Sequence, residues 1–339
     1  MKILFIGGTG TISSAITKQI ISNSDHQLYL INRGTRNDSL SDKVTLIQAD
    51  INEEEDVAEK VKNLNFDVVV DFIAFVPAHL ERDYRLFNKK TKQFIFISSA
   101  SAYQKPLSDF RITEGTPLAN PYWEYSRNKI ACEDYLMKMY RENGFPVTLI
   151  RPSHTYDERS VPLGVHGKNG SWQVIKRMMD GKPVIIHGDG TSLWTMTHNS
   201  DFAKGFIGIM GNLHAIGEAI QITSDETLTW NQIYQSIADK LGVTLKPYYI
   251  SSSFLAAMGD YDFEGGLIGD KANSVVFDNS KLKRLVPDFT ATKRFDEGIA
   301  DTIQYVCSHE DCQKSDEEFD NWCDKVIDAL DSVKMKFVK

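Results

Sequence analysis

The feature that most constrains the fold is the alternation of short, continuously apolar segments with longer amphipathic segments over the first 150 residues. Uninterrupted apolar runs of this length are typical of strands buried on both faces, and the amphipathic stretches are typical of crossover helices. Together they predict an α/β fold with a Rossmann-type, doubly wound parallel sheet. The predicted strands are KILFI (2–6), QLYLI (27–31), VTLIQ (44–48), FDVVVD (66–71), QFIFIS (93–98) and PVTLI (146–150), and the predicted helices are 11–22, 53–63, 78–89 and 121–143.

The composition and the hydrophobic pattern of the sequence change after Pro152. Glycine, proline, histidine and serine are frequent in 153–171, and the later candidate strands, 183–187 and 218–222, are short and isolated. We interpret 1–152 as a nucleotide-binding domain of the doubly wound Rossmann type and 153–339 as a smaller C-terminal substrate-binding lobe. A segment at about 195–214 is expected to pack back on the Rossmann sheet. Helical periodicity in the lobe predicts helices at 172–180, 200–210, 229–241, 292–306 and 314–330.

Charge and cysteine content narrow the functional class. The chain has 38 Lys and Arg against 46 Asp and Glu, a net charge of −8, which disfavours non-specific nucleic-acid binding. Four cysteines are too few and too scattered for a disulfide framework, and the spacing of Cys307, Cys312 and Cys323 matches no zinc pattern, so no metal site is expected. Because no apolar run approaches the length of a membrane span and no signal peptide is apparent, we expect a cytoplasmic protein.

A glycine-rich loop, IGGTGTISSAI, directly follows the first predicted strand. A dinucleotide site needs a tight turn, expected at Gly7, and close approach of the backbone to a pyrophosphate, expected at Gly10. It also needs a small residue where helix meets strand, and Ser13 meets that need. Loop amides and the helix N-terminus would then hold the phosphates. The predicted contacts are Gly7, Thr9, Gly10, Thr11 and Ile12.

The second predicted strand ends in LINRG, where NAD-binding chains usually supply a carboxylate for the ribose 2′-hydroxyl. Here Asn32 and Arg33 follow instead. An arginine suits a 2′-phosphate, so NADP is modestly favoured over NAD, although Asn32 could still bind an unphosphorylated ribose. The remaining contacts are expected at the ends of the next two strands, with the adenine at Asp50 and Ile51 and the bridge between the nucleotides at Phe72 and Ala74.

Six motifs together resemble the extended short-chain dehydrogenase/reductase superfamily, in its NAD-dependent epimerase/dehydratase branch. They are GGTGTIS (7–13), FISSASAY (96–103), YSRNK (125–129), RPSHTY (151–156), GDGTSLWTMTHNSDFAKGF (188–206) and FDNSK (277–281). The NRG at 32–34 and the block holding Trp194, His198 and Asp201 are similar to a divergent branch that includes chloroplast stem-loop RNA-binding relatives. The resemblance implies a homodimer through the helices at 78–89 and 121–143, with Tyr135, Leu136 and Met139 as possible apolar contacts.

The resemblance also implies a catalytic set. Tyr125 and Lys129 lie one helical turn apart and therefore on one face. Tyr125 is the expected general acid/base, and Lys129 is expected to lower its pKa and to bind the nicotinamide ribose, so both are also cofactor contacts. Ser99 would polarise the substrate carbonyl or hydroxyl, and Pro152 would shape the nicotinamide pocket.

Two departures from the family pattern bear on the substrate. The acidic pair of the sugar-nucleotide dehydratases is replaced by Ala100 and Ser101, and the arginine that binds a substrate diphosphate is replaced by Trp194. Ser101, His154 and Trp194 are predicted substrate contacts, and His154 is a second candidate for proton transfer.

These observations predict an NAD(P)-dependent oxidoreductase or epimerase that acts on a secondary alcohol or ketone of a sugar-like small molecule. The alternative is a non-catalytic nucleotide- or RNA-binding protein on a degenerate dehydrogenase fold.

Overall fold

Seven parallel strands form a central sheet in the order β12-β7-β5-β4-β1-β2-β3. The computed structural model describes residues 1–23, 25–34 and 43–337, so the last two residues of the predicted lobe lie outside it. The strands are β1 (Lys2–Ile6), β2 (Gln27–Asn32), β3 (Val44–Gln48), β4 (Phe66–Asp71), β5 (Thr91–Ile97), β6 (Arg111–Ile112), β7 (Val147–Pro152), β8 (His154–Tyr156), β9 (Val184–His187), β10 (Leu193–Trp194), β11 (Met196–His198), β12 (Ala219–Ile222), β13 (Leu228–Thr229), β14 (Pro247–Ile250) and β15 (Val276–Phe277).

Apart from three short 3₁₀ turns, the helices of the described residues lie where the amphipathic segments predicted them, with three additions. They are α1 (Thr11–Asn23), α2 (Glu54–Val61), α3 (Pro77–Phe87), α4 (Glu124–Asn143), α5 (Trp172–Met179), α6 (Asn199–Ile209), α7 (Trp230–Leu241), α8 (Ser252–Met258), α9 (Ser280–Leu285), α10 (Phe295–Ser308) and α11 (Glu317–Lys334). A π-helix spans Glu264–Lys271. The additions are α8, α9 and the π-helix, which are short or glycine-rich and carry little helical periodicity. None of the described helices is long and apolar enough to cross a membrane.

The central strands are apolar on both faces because both faces are covered. Successive residues of β1 point alternately to two separate cores: Ile3 and Phe5 pack with α1 and α6, whereas Leu4 and Ile6 pack on the side of α3 and α4. The predicted α/β fold with a doubly wound parallel sheet is therefore confirmed.

One strand was assigned to the wrong layer. The sequence placed 218–222 among the isolated strands of the second lobe, but the structure pairs β12 in parallel with β7 as the edge strand of the central sheet. Phe206 of α6 and Ile220 of β12 share the core that covers β1. A short edge strand that follows a distant crossover has no local signal that separates it from a lobe strand.

The second lobe has its own core around the fully buried Trp230. Helices α5, α7, α10 and α11 pack there against β9 and β10. This core and the sheet meet at the carboxyl ends of the strands. The division of the chain at residue 152 stays a prediction. Two later segments do not follow it, because β12 is a strand of the central sheet and α6 packs against that sheet.

The residues suggested for a dimer contact fall in two classes. Leu136 is fully buried in the core beneath α4, so it is not available to a partner chain. Tyr135 and Met139 are partly buried against the same core. The homodimer itself stays a prediction.

Helix α4 is fastened to the sheet by a buried ion pair. Glu133 on α4 and Arg151 on β7 are 2% and 5% exposed, and the guanidinium donates to the carboxylate from Nε (2.9 Å) and from Nη2 (2.5 Å). Ser98, just beyond β5, donates to the same carboxylate at 2.5 Å. Because Glu133 lies one turn after Lys129, this pair sets the rotation of the helix that carries the predicted catalytic residues.

Glu133→Ala is expected to lower the free energy of unfolding by about 3–5 kcal/mol, because it leaves the Arg151 guanidinium buried without its partner. Urea unfolding measures the change. The matched control is Glu142→Ala, which removes an exposed pair with Lys138 (3.9 Å) and should change stability by less than about 0.5 kcal/mol. The double variant Glu133→Leu with Arg151→Met should recover much of the loss. Equal effects of Glu133→Ala and Glu142→Ala would contradict this account.

Candidate active site

Two cavities adjoin at the carboxyl ends of the central strands, where parallel sheets of this kind bind ligands. The first, called here the cofactor cavity, has a volume of about 720 Å³. The second, called the substrate cavity, has a volume of about 470 Å³. They share Thr11, Ile12, Phe72 and Ile97 as lining residues, so a ligand can extend from one into the other.

The glycine loop forms one wall of the cofactor cavity. Gly7 and Gly8 have φ of 99° and 111°, which other residues rarely adopt. A side chain at Gly8 would lie 2.8 Å from Leu30, so this glycine, which the motif analysis passed over, is required by the fold. At Gly10 an added Cβ would meet only the Ser13 hydroxyl, at 3.6 Å. Gly10 is thus dispensable for local packing, and the space beside it is open.

Ser13 has a role beyond its small size. Its hydroxyl accepts the Gly10 amide proton at 2.9 Å, which closes the loop onto α1. This amide is therefore occupied within the protein. Residues that follow the predicted boundary at residue 152 also hold the loop, because Asn199 at the start of α6 donates to the Thr11 carbonyl (3.1 Å) and Arg159 to the Thr9 carbonyl (3.4 Å). Neither contact has a sequence signal, since both partners are more than 140 residues away.

The far end of the cofactor cavity holds the predicted adenosine residues. Asn32, Arg33, Asp50, Ile51 and Phe72 all line it, together with the predicted loop residues Gly7, Thr9, Gly10, Thr11 and Ile12. Ala74 differs from the expectation: it is fully buried, lines neither cavity, and offers only its carbonyl, which accepts from Lys129. Asn52 lines the cavity unforeseen by the sequence analysis.

The substrate cavity brings together every residue that was predicted to act on substrate. Ser99, Ser101, Tyr125, Lys129, Pro152, His154 and Trp194 all line it. They lie just after β5, at the start of α4, at the end of β7, at the start of β8 and at the end of β10, which are far apart in sequence. The parallel sheet brings the ends of β5 and β7 to one edge, and the separate short strands β8 and β10 complete the wall.

A chain of hydroxyl groups runs through the wall beside Tyr125. The Ser126 hydroxyl, fully buried, donates to the Ser101 hydroxyl at 2.8 Å, which lies 2.9 Å from the Ser99 hydroxyl. Ser99 in turn hydrogen-bonds the Tyr125 side chain. Ser126 was not predicted, and it gives Ser101 a structural role in holding Ser99.

The protonation of Tyr125 differs from the expectation. Burial raises the pKa of Tyr125, and the hydrogen bond from Ser99 only partly opposes this. The expected lowering of that pKa by Lys129 is not found, because the Lys129 ammonium lies 5.7 Å from the centre of the tyrosine ring and is engaged elsewhere. Tyr125 is therefore a neutral phenol at physiological pH, which suits it to donate a proton.

Lys129 is held by backbone oxygens. Its Nζ donates to the carbonyls of Ala74 and Ile97, both at 2.8 Å, and lies over the rings of Phe75 and Phe96. Burial lowers the pKa of Lys129 to about 8. An ammonium has three protons, so these two bonds leave one for a ligand in the cavity.

His154 is a neutral donor rather than an acid. Burial lowers its pKa to about 3, so the ring carries no extra proton at neutral pH. The Trp194 indole donates to His154 Nδ1 at 3.3 Å, which leaves the proton on Nε2. Proton transfer by a histidinium at this position is therefore disfavoured. Trp194 also packs on Trp230, with ring centres 5.7 Å apart, so it is both a core residue and a cavity wall.

Comparison with known proteins identifies the family to which a chain with this site belongs. The model of the NAD-dependent epimerase/dehydratase family matches residues 3–223. The chain belongs to this family. The predicted membership, and with it the prediction of an NAD(P)-dependent enzyme of the extended short-chain dehydrogenase/reductase type, is confirmed.

Proteins similar to this chain carry names that describe different functions. The 2'-dehydrokanamycin reductase of Streptomyces kanamyceticus is 22% identical over 85% of this chain and 80% of its own length. The chloroplast stem-loop binding protein of 41 kDa b from Arabidopsis thaliana is 25% identical over 70% of this chain and 62% of its own. The structure of the dTDP-glucose 4,6-dehydratase of Bacillus anthracis, in complex with NAD, is 19% identical with a TM-score of 0.73, covering 92% of this chain and 98% of that chain.

Several cavity residues of this family member were missed by the sequence analysis. Trp123, Lys105, Asp270 and Lys271 line the substrate cavity, and the last two are delivered by the π-helix. Gly265 in that helix lets it pack on Trp123, because an added Cβ would lie 2.3 Å from the indole. Within the described residues, no group of three or more His, Cys, Asp or Glu side chains is placed to hold a metal ion.

The affinity for NADP is expected to fall as the pH rises through about 8, because the folded protein lowers the pKa of Lys129 to that value and the lysine then loses the proton it would donate to the cofactor. Fluorescence titration between pH 7 and pH 9.5 measures it. Lys129→Met should bind weakly with little dependence on pH. The control Lys138→Met, an exposed lysine on the same helix, should follow the wild type. A wild-type affinity that stays constant over this range would refute the role of the ammonium.

Proposed function

We propose that this protein is an NAD(P)-dependent oxidoreductase that reduces a ketone of a sugar-like substrate to a secondary alcohol. The observation that carries the proposal is the meeting of Ser99, Tyr125 and Lys129 in one cavity that adjoins the glycine loop. The residues fit a dinucleotide: Gly10 leaves space beside the loop, Asn32 and Asp50 line the far end, and Lys129 keeps one donor.

Side chains of the substrate cavity would position and protonate the substrate and orient the cofactor. The nicotinamide cofactor, when bound, supplies or accepts the hydride. Tyr125, kept neutral by burial, donates its proton to the substrate oxygen, and Ser99 donates a hydrogen bond that polarises the same carbonyl. Lys129 orients the ribose of the cofactor. His154 can donate from Nε2 to another substrate hydroxyl.

The proposed direction of the reaction and the proposed class of substrate rest on two features. Tyr125 is a neutral phenol, which can donate the proton that reduction of a ketone requires at the substrate oxygen. Trp194 is uncharged and stands where the family has an arginine for the substrate diphosphate, so we propose that the substrate is not held at this position by a diphosphate. The similarity to a protein named as a 2'-dehydrokanamycin reductase supports the assignment of a reduction. An epimerase that uses the same three residues is the nearest alternative.

A binding protein for RNA is the second candidate, and the similarity to a chloroplast stem-loop binding protein favours it. The net charge of −8 and the intact Ser99, Tyr125 and Lys129 argue against it. Mass spectrometry of compounds retained by the purified protein separates the two: recovery of NAD(P) with a sugar-like molecule supports the enzyme, and recovery of RNA without a cofactor supports the alternative.

The proposal extends to assembly and location. We propose a homodimer that forms through the exposed faces of α3 and α4, and a cytoplasmic protein whose four cysteines stay reduced.

Tyr125→Phe is expected to lower kcat by about 10²- to 10⁴-fold, because it removes the donated proton and keeps the ring. Cofactor affinity should stay unchanged. Consumption of NADPH with the retained sugar-like compound, or its ketone, measures turnover. The control is Tyr122→Phe, since Tyr122 lies outside both cavities. Normal turnover in a folded Tyr125→Phe protein would remove this residue from the mechanism.

NADP is expected to bind more tightly than NAD, because Arg33 lines the cavity and no carboxylate ends β2. Arg33→Ala should narrow the gap by about 1–3 kcal/mol, the contribution of a charge-assisted bond to the phosphate. Dissociation constants of both cofactors, measured by calorimetry, test this. Arg141→Ala, a change at an exposed arginine near the end of α4, serves as the control. A wild type that prefers NAD would overturn the assignment.

A further inference from the structure

Lys105 is a buried lysine whose ammonium has no partner in the part of the chain that the structure describes. It is only 4% exposed, and it lines the substrate cavity. Among the residues that the structure describes, its ammonium makes neither a hydrogen bond nor an ion pair. The Lys105 Nζ keeps some exposure to solvent, and because Lys105 lines the substrate cavity, a ligand in that cavity can reach it.

A buried ammonium without an acceptor makes an unfavourable contribution to the free energy of folding. A lysine side chain that loses its hydration without gaining an acceptor destabilises the charged form, and buried charges are normally paired. Burial accordingly lowers the pKa of Lys105, and the nearby Asp270 carboxylate opposes this effect only in part. A negatively charged ligand group beside the ammonium would supply the missing partner.

The cavity as a whole is cationic. Its charged lining consists of Lys105, Lys129, Lys271 and Asp270, a net charge of +2 in a chain whose net charge is −8. Lys129 is engaged by two carbonyls, and Lys271 lies 3.4 Å from Asp270. Lys105 is the cation of this set that has no acceptor among the described residues. A concave site with this charge attracts anions.

Lys105 also lies close to the reacting groups. Lys105, Tyr125 and Asp270 line one cavity, where the Asp270 carboxylate opposes the lowering of the Lys105 pKa by burial and adds to the raising of the Tyr125 pKa by burial. The backbone of Lys105 is fixed by its amide, which donates to the Ala119 carbonyl at 2.7 Å. The adjacent Asn120 side chain bridges the carbonyls of Ser101 and Gly269 at 2.8 and 2.7 Å. The loop of Lys105 is thus tied to both walls of the cavity.

We propose that Lys105 determines substrate specificity by binding an anionic group, a carboxylate or a phosphate, that the sugar-like substrate carries away from its reacting carbon. The inference rests on the proposed function for the statement that the bound molecule is a substrate. It adds a chemical class: acidic or phosphorylated sugars rather than neutral ones. Trp194 and His154 offer no charge for this purpose, so the ammonium of Lys105 supplies it.

The first experiment needs no catalysis. The full-length protein is acetylated briefly with acetic anhydride in the presence of D-glucuronate, D-glucose 6-phosphate or D-glucose, and labelling of Lys105 is measured by peptide mass spectrometry relative to Lys138. At least one anionic sugar should protect Lys105 with an apparent Kd about tenfold below that of glucose, since a charge-assisted bond discriminates by this much or more. Protection by glucuronate alone assigns a carboxylate, and protection by glucose 6-phosphate alone assigns a phosphate.

Two results would overturn the proposal. One is equal protection, or no protection, with all three sugars. The other is a Lys105 that acetic anhydride does not label in the free protein, because the ammonium would then be closed to the cavity. Neither result depends on hydride transfer. The labelling experiment therefore tests the proposed anion site independently of the proposed oxidoreductase activity.

The second experiment uses the turnover assay. Lys105→Met should raise KM for the anionic substrate by about tenfold and affect kcat much less, whereas Lys105→Arg should restore KM because it keeps the charge. The control Lys138→Met should match the wild type. A fall in kcat with unchanged KM, or an arginine variant as impaired as the methionine variant, would show a structural role and contradict the proposal.

Discussion

The geometry of the active site depends on the ion pair that joins α4 to the sheet. A buried carboxylate and a buried guanidinium are normally paired, and the pairing of Glu133 with Arg151 holds one face of α4 over the ends of β5 and β7. The network continues past the pair, because Arg151 lies 5.0 Å from the ring of Tyr103, whose hydroxyl donates to Gln221 on β12 at 2.9 Å. Helix α4, which carries the proposed catalytic residues, and the edge strand β12 are thereby fixed together.

The second lobe does more than cover the site. Arg159 donates to a carbonyl of the glycine loop, so the loop that lines the cofactor cavity is held partly by a residue beyond the sheet domain. The same lobe supplies the π-helix, whose glycines allow it to lie against Trp123 and to place Asp270 and Lys271 in the wall of the substrate cavity.

Electrostatics separates this site from the surface around it. The chain is acidic, yet its substrate cavity is lined by three lysines and one aspartate. Burial moves the ionisable groups of this cavity toward their neutral forms: the pKa of Tyr125 rises, and those of Lys105, Lys129 and His154 fall. Such groups gain most from a charged or strongly hydrogen-bonding ligand, because the ligand replaces the water that folding removed.

The sequence by itself determined the parts that depend on local pattern. Apolar runs and amphipathic periods specified the sheet and most helices, and the loop at Gly7 to Ser13 and the Tyr125–Lys129 spacing specified the two halves of the site, because each signal lies within one or two turns of chain. The tertiary structure alone decided the rest. It pairs β12 with the sheet, keeps Ala74 out of both cavities, buries Leu136, raises the pKa of Tyr125 and leaves Lys105 without a partner among the described residues. Each of these depends on burial and on contacts between distant segments, and neither quantity is encoded in the neighbourhood of a single residue.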